Sequence, residues 1–425
     1  MVFALTAFSS LFSAVFMLLA GVGLLTTLLS LRMTMEGFSV QATGIVMSFY
    51  FLGLVAGSFI CHHLVQRVGH IRAFAVFASM CCVSALAHGL WVSMYTWGFL
   101  RLVTGVSITG LYMVVESWLN EFTSSKNRGK VFSVYMAITY LGLGLGQFLL
   151  MVSDVSRTDQ FMIVGILMCL SLVPVSSTGS INPVMPERVR FDLVHIVRKA
   201  PLGIAGGFAA GMLNSTIFSL GAVFASGMGL PVNQISFFMG TIIISGLVFQ
   251  YPVGILSDRY DRNIVLGAVA LIVTFCALMI TGYAILNSSG KFMVLGVMSA
   301  LYGGFAFTVY PVSVAHTHDF FEPDEIIPVS SALLLSFGVG GVMGPVLASV
   351  FMASPLGPKG MFVFLAIVGM CYCAAVFWFR AKRPERLVVQ QPVPFVVVRS
   401  TSPAAAALDP RSEPADDLRK SKEEH

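Results

Sequence analysis

Arg101, Gly105, Thr109, Tyr112 and Glu116 are polar or small residues set in an otherwise apolar stretch, at spacings of four, four, three and four. On an α-helix turning 100° per residue, all five share roughly an 80° arc. A stripe holding a guanidinium and a carboxyl would cost several kcal/mol facing lipid, so it faces the interior of a helix bundle. Two roles are open to it. As a cavity wall, it offers Arg101 to hold an anionic group or bias a proton site, and Glu116 to exchange a proton. As structure, it makes Arg101 an anchor near the outer end of the helix and Glu116 a gate salt bridge near the cytoplasmic end. Tyr140, Gln147, Asn214, Gln250 and Tyr310 are likewise isolated in apolar runs. They either face the same cavity or bond between helices, the latter worth about 0.6 kcal/mol or a little more per contact.

Other chemistries find no residues to carry them. The sequence has no Gly-Lys-Ser/Thr phosphate loop, no Gly-x-Ser-x-Gly nucleophile and no His-Glu-x-x-His pair, which argues against ATP-driven transport and against an enzyme. His316, His318, Asp319 and Glu322 gather ligand types, but a His-x-His pair fixes no metal geometry. The string reads as a solvated loop, with no metal and no cofactor expected.

The elements that position the stripe follow from composition. Mean hydropathy is +0.86, 56% of residues are hydrophobic and 11% are charged, against roughly 25% charged in soluble domains. Residues 2–31 form one uncharged run, too long for a signal peptide and read as a retained first helix. Apolar runs recur near 43–65, 73–94, 98–120, 130–152, 160–179, 202–226, 233–256, 263–286, 292–315, 328–352 and 360–380, predicting twelve transmembrane helices. The 73–120 region divides at Tyr95, Thr96 and Trp97, where Trp91, Tyr95 and Trp97 read as an interfacial aromatic belt. The seven cysteines all lie in apolar stretches and read as packing residues.

Twelve spans place both termini on one side, with every even-to-odd loop. That side holds Arg67, Arg72, Lys126, Arg128, Lys130, Arg188, Arg190, Arg198, Lys199, Arg259, Arg262, Arg380 and Lys382, whereas the opposite loops hold only Arg32, Arg157, Lys291 and Lys359. The positive-inside rule makes the termini cytoplasmic. Prolines and mixed charge predict a linker at 181–200 between six-helix halves at 1–180 and 201–381, and a disordered cytoplasmic tail at 382–425.

The halves repeat. Gly254-Ile-Leu-Ser-Asp258-Arg259-Tyr-Asp261-Arg262-Asn263 follows the eighth run as Gln66-Arg67-Val-Gly69-His70-Ile-Arg72 follows the second. An offset of 198 sets Gly105 over Gly303, Gly142 over Gly340, Gly146 over Gly344 and Glu121 over Asp319. The 254–263 segment resembles the Gly-x-Leu-x-Asp-Arg-x-Gly-Arg-Arg loop of the major facilitator superfamily, and Arg101-Leu-Val-Thr-Gly105 resembles its Arg-x-x-x-Gly helix motif. With Val114-Val-Glu116-Ser-Trp, Asn127-Arg-Gly-Lys130, Tyr140 to Gln147 and Leu333 to Gly341, the chain is similar to the bacterial YcaD-like branch of that superfamily. The first-half loop departs from the pattern, with His62 in place of glycine and Gln66 in place of aspartate; the second has Asp261 in place of glycine.

The resemblance implies an all-α integral membrane fold of two pseudo-symmetric six-helix bundles. It implies a cytoplasmic gate in which Asp258 meets a helix start in the opposite half, Arg262 pairs with Asp319, and Glu121 pairs with Arg67, His70 or Arg72; Gly254 and Arg259 complete the motif. Glycines at 142, 144, 146, 338, 340, 341 and 344 read as close-packing positions. The expected protein is a secondary transporter working by alternating access with proton coupling. The alternatives are an uncoupled facilitator and a membrane-embedded enzyme or scaffold. Its partners are a small solute, protons and the lipid of a bacterial inner membrane, without nucleic acid, and it acts as a monomer. Arg101 makes small organic anions the first solutes to test, with amphipathic drugs beside them.

Overall fold

The computed structural model describes residues 8–123, 127–176, 192–286, 292–322, 325–382 and 395–408. Among them, twelve helices are long and apolar enough to cross a membrane. Spans 1 to 6 are Ser9–Met35, Val40–Val68, His70–Leu90, Met94–Phe122, Arg128–Met151 and Asp159–Ser176. Spans 7 to 12 are Pro201–Gly227, Val232–Arg259, Arg262–Leu286, Phe292–His318, Ile326–Ala353 and Gly357–Lys382. Residues 177–180 of the expected first half, 181–191 of the expected linker, and 383–394 and 409–425 of the expected tail lie outside the described residues.

Inside lipid each backbone polar group must be satisfied within its own segment, which the helices do. Their hydroxyls follow the same logic. Thr26 donates to Val22 O at 2.8 Å, Ser117 to Met113 O at 2.7 Å and Thr281 to Ala277 O at 2.9 Å, each one turn back. Span 2 stops at Gly69, whose φ of +82° suits glycine, and its N–H closes on Val65 O at 2.9 Å.

Spans 3 and 4 are separate, as the sequence predicts, but the break falls at Trp91–Ser93. Of the three residues read as a belt, Trp91 and Tyr95 are exposed, while Trp97 is fully buried and does not belong to one. The indole N–H of Trp97 donates to Trp91 O at 2.8 Å and His88 O at 3.1 Å, so it caps the carbonyls freed by the break. Span 10 is also interrupted, at Phe307 and Thr308. Pro311 lacks the N–H that would bond Phe307 O, which opens the helix one turn earlier.

In the first bundle, spans 1 and 5, 2 and 4, and 3 and 6 pack together; in the second, spans 7 and 11, 8 and 10, and 9 and 12 are the equivalent pairs. Glycines set the closest crossings. A Cβ on Gly105 would overlap the Tyr50 carbonyl oxygen, and one on Gly340 the Phe208 carbonyl oxygen. The first crossing joins spans 4 and 2, the second spans 11 and 7. Because the obstacle is backbone, Gly105→Ala is expected to lower stability by about 1–3 kcal/mol. A melting temperature in detergent several degrees below wild type would show it, while Gly282→Ala, with nothing within 4 Å of the added carbon, should leave melting unchanged.

The bundles meet toward one end. Residues 36–39, 91–93, 152–158, 228–231 and 354–356 mark that far end. On that side Gly44 of span 2 sits against Pro345 and Ser349 of span 11, and Gly144 of span 5 against Ile244 of span 8. At the opposite end, which carries the 66–72 and 254–263 motifs and is called the motif end, residues 395–408 lie between the bundles. Their short helix Ala405–Leu408 contacts spans 4 and 5 on one side and span 11 on the other. This part of the tail is therefore folded, against the expectation of disorder. Prolines and charges dominate the average over 382–425, but Phe395–Val398 and Ala404–Leu408 are locally apolar and find a partner in the gap. A second short helix, Leu193–Lys199, is capped by Asp192, which accepts the N–H groups of Val194 and His195. It is tied to the start of span 11 by Lys199 and Glu325 at 3.2 Å.

Candidate functional site

The space between the bundles is a cleft of about 720 Å³, counting the part open to solvent. Tyr50, Phe51, Tyr112 and Tyr140 line it from the first bundle; Asn214, Phe218, Phe307, Tyr310 and Phe337 line it from the second. The rings interlock by their edges, with Tyr140 on Phe307 at 6.1 Å, Phe218 on Phe307 at 5.5 Å and Tyr310 on Phe337 at 5.1 Å. Phe307 reaches the cavity from the break in span 10. That break follows from Pro311, a signal visible in the sequence although the cavity rings Tyr50, Phe218, Phe307 and Phe337 were not legible there.

The polar stripe of span 4 divides in two. Its Arg101, Gly105 and Thr109 part packs on span 2. Thr109 donates to Leu54 O and Gly105 O, both at 3.2 Å. Arg101 is 1% exposed and its guanidinium lies over the Tyr50 ring at 4.5 Å, with no hydrogen bond among the described residues. Neither lines the cavity; Tyr50 does. The five residues do share one face, but span 2 covers its first half. Tyr112 and Glu116, further along, reach the gap between the bundles.

Glu116 is 0% exposed. Tyr135 of span 5 donates to its Oε1 at 2.9 Å, and Ser402 of the tail donates to its Oε2. The carboxyl is thus held by its own bundle on one oxygen and by the tail on the other. It makes no salt bridge among the described residues.

Of the remaining candidates, Tyr140, Asn214 and Tyr310 line the cavity. Gln147 does not; it accepts from Thr27 at 2.5 Å and donates to Gly23 O at 3.0 Å, joining spans 5 and 1. Gln250 is fully buried in span 8 and outside the lining. Gln147 falls to the interhelical reading, since an amide beside a neighbouring backbone bonds it instead of facing the cavity.

At the motif end, Arg262 is the hub. Its Nη1 donates to Asp319 Oδ1 and to Ala315 O, both at 2.6 Å, its Nη2 to Asp258 Oδ1 at 3.3 Å and its Nε to Ser257 O at 3.4 Å. Arg262 and Asp319 are both buried. The expected pair is present, but it joins spans 8, 9 and 10 of one bundle and does not bridge the two. Among the described residues Asp258 meets no helix start of the opposite half; its Oδ1 accepts the Phe395 N–H of the tail at 2.7 Å. Gly254 gives the Phe395 ring its seat, since a Cβ there would collide with it. Arg259 is exposed. In the first half Arg67, Arg72 and Glu121 are all exposed, and no ion pair joins them among the described residues. Gln66, standing where the repeat has Asp258, removes the carboxylate that would organise that cluster.

His316 and His318 are buried in the last turn of span 10, at 3% and 1% exposure, which corrects the loop reading of that string. Span 10 runs one turn further than its hydropathy suggests because His318 finds Ser330 Oγ at 3.0 Å on span 11 and His316 stacks edge-on against Phe320. Among the described residues, no group of three or more metal-ligating side chains comes together.

Two helical bundles around an aromatic cavity, with glycine-set crossings and a repeated loop motif, define a membrane transporter fold. The chain belongs to the Major Facilitator Superfamily, whose family model matches residues 11–325 and 247–408. It is similar to the uncharacterised MFS-type transporter YcaD of Escherichia fergusonii, 27% identical over 366 residues covering 85% of this chain and 93% of that one. The YcaD protein of Escherichia coli O17:K52:H18 is similar at the same identity and coverage. Its fold is also that of the nucleoside transporter NupG, at a TM-score of 0.72 and 13% identity, covering 88% of this chain and 99% of that one. A bacterial homologue of the human lysosomal transporter Spinster matches at 0.73 and 13%, covering 91% and 98%. The D-xylose-proton symporter matches at 0.69 and 14%, covering 90% and 98%.

Proposed function

We propose that this chain is a proton-coupled secondary transporter of a small solute, working by alternating access in a bacterial inner membrane. The observation that carries the reading is the shape of the gap. The bundles are in contact toward the far end and held apart at the motif end around an aromatic cavity, with a buried carboxyl, Glu116, at the open side. In this reading residues 1–180 and 201–381 are the moving units and 181–200 connects them. The motif end carries Arg67, Arg72, Arg128, Lys130, Arg198, Lys199, Arg259, Arg262, Arg380 and Lys382, and is cytoplasmic by the positive-inside rule.

The gate is open at the motif end. Closing it requires Asp258 to exchange the tail's Phe395 N–H for a partner in the opposite bundle, while Arg262 and Asp319 keep spans 8 to 10 together as one rigid body. Proton coupling rests on Glu116, whose second oxygen becomes free to take a proton when Ser402 leaves it. The acid lies about one helical turn from the cavity-lining Tyr112, so occupancy of the cavity and protonation are close enough to bias the same rocking motion.

Purified protein in liposomes holding a pH-sensitive dye tests the reading. Under an imposed pH gradient, a panel of small anions, cations and neutral solutes is supplied outside. At least one is expected to drive proton movement that empty liposomes lack. Solute entry with no proton movement would replace coupling by facilitated diffusion.

A further inference from the structure

The tail segment that fills the gap is a guide to what the cavity accepts. In the sequence Phe395-Val-Val-Val-Arg399-Ser-Thr-Ser402-Pro-Ala-Ala, Arg399 carries the only charge. It is also the only charged side chain lining the cavity among the described residues. Its guanidinium carbon lies 5.6 Å from the Tyr140 ring centroid and 5.8 Å from that of Phe218. One ring comes from each bundle, so the charge sits in a cleft that both halves build. Guanidinium and ammonium groups are attracted to such ring faces, and the more so where water is excluded.

Three features around Arg399 complete the site. Val398 lies beside it on the cavity wall, giving the charge an apolar companion. Ser402, three residues on, delivers a hydroxyl to Glu116, which places the buried carboxyl of the gap next to the same segment. Arg101, the cation that suggested anionic solutes, is covered by the Tyr50 ring and does not line the cavity.

We propose that the Tyr140–Phe218 cleft is a binding site for a guanidinium or alkylammonium group carried on an apolar arm, and that the tail fills it with Arg399, so that tail and cationic solute exclude one another. The proposal rests on the transporter reading and names the substrate class of its cavity. It also gives the tail a task. Anchored at Phe395 to Asp258 and at Ser402 to Glu116, the segment spans both bundles and wedges the motif end open. A solute that displaces it releases the two carboxylates together.

The test is equilibrium binding of n-butylguanidinium to full-length protein in detergent, followed by titration calorimetry, with n-butanesulfonate as the anionic control. A competitor that occupies the site most of the time weakens apparent affinity by the fraction of protein left free. Arg399→Gln, which empties the cleft, and Ser402→Asp, which sets a second carboxylate against Glu116 and expels the tail, are each expected to bind the probe about tenfold more tightly than wild type. Adding Phe218→Leu to Arg399→Gln keeps the site apolar, removes a ring face and is expected to weaken binding about fivefold; adding Tyr140→Phe keeps the face and the affinity. A melting transition without probe confirms that each variant is folded.

Equal affinity in wild type and both tail variants overturns the proposal, as does binding indifferent to Phe218→Leu or sulfonate binding as tight as guanidinium. Failure here with solute-driven proton flux intact in liposomes removes the cation site alone. Binding as expected with no flux for any solute removes the transporter reading instead.

Discussion

Replacing Arg262 by alanine is expected to destabilise the protein by about 3–5 kcal/mol, because it takes the guanidinium away from a buried carboxylate. Asp319 is 5% exposed and its Oδ1 is 2.6 Å from Arg262 Nη1, so its charge is held inside the protein beside the guanidinium. The same change removes donors from Ala315 O, Ser257 O and Asp258, which ties three spans to one side chain. Lysine is not a substitute: its point charge cannot reach these acceptors in the fixed fork that guanidinium provides. Arg262→Lys is therefore expected to recover only part of the loss. Arg262→Ala with Asp319→Ala removes both charges and should melt higher than Arg262→Ala alone, the signature of coupling within one network. Apparent melting temperatures of wild type, the two single alanine variants and the double variant in detergent decide it, and additive losses would show that the pair is not a unit.

The second large effect concerns Glu116. Glutamine keeps the size of the side chain and can still accept from Tyr135, but it cannot bind or release a proton. Solute-driven proton movement in Glu116→Gln liposomes is expected to fall to that of empty liposomes. Solute exchange at equal concentrations on both sides, which needs no net proton transfer, should persist. Loss of both would mean that Glu116 serves the solute site or the fold. Retention of both would move the proton site elsewhere.

The spans were legible because lipid leaves one strong signal, long runs without charge, and because the loop motif and glycines repeat between halves. The Arg262–Asp319 pair followed from the family resemblance of that loop. Periodicity also put Arg101, Thr109 and Glu116 on one face of span 4. What it cannot say is which neighbour covers that face, and span 2 takes Arg101 and Thr109 while Glu116 reaches the gap. Gln147 lies outside the cavity for a related reason: an isolated amide in an apolar run has a neighbouring helix to bond as readily as a cavity to face.

The tail escapes a sequence reading for a different reason. Composition averaged over 382–425 describes a chain too polar and too rich in proline to bury itself, and that average hides two apolar stretches that need only a groove. The groove is made by both bundles together, so nothing local to residues 395–408 reveals it. Asp258 shows the converse. Its motif is plain in the sequence, yet its partner across the gap is a backbone N–H of the tail, a contact that no pattern of side chains encodes.

Alternating access is the central claim, and distances at the two ends of the bundle test it most directly. Spin labels on Gly37 and Ser354 report the far end, and labels on Arg72 and Glu325 the motif end, in protein whose accessible native cysteines are replaced by serine. Electron–electron resonance in lipid nanodiscs at high and low pH is expected to give two distances for each pair. Their populations should move oppositely, the far-end pair lengthening as the motif-end pair shortens. A single distance at both ends, unchanged by pH and by solute, would contradict the account.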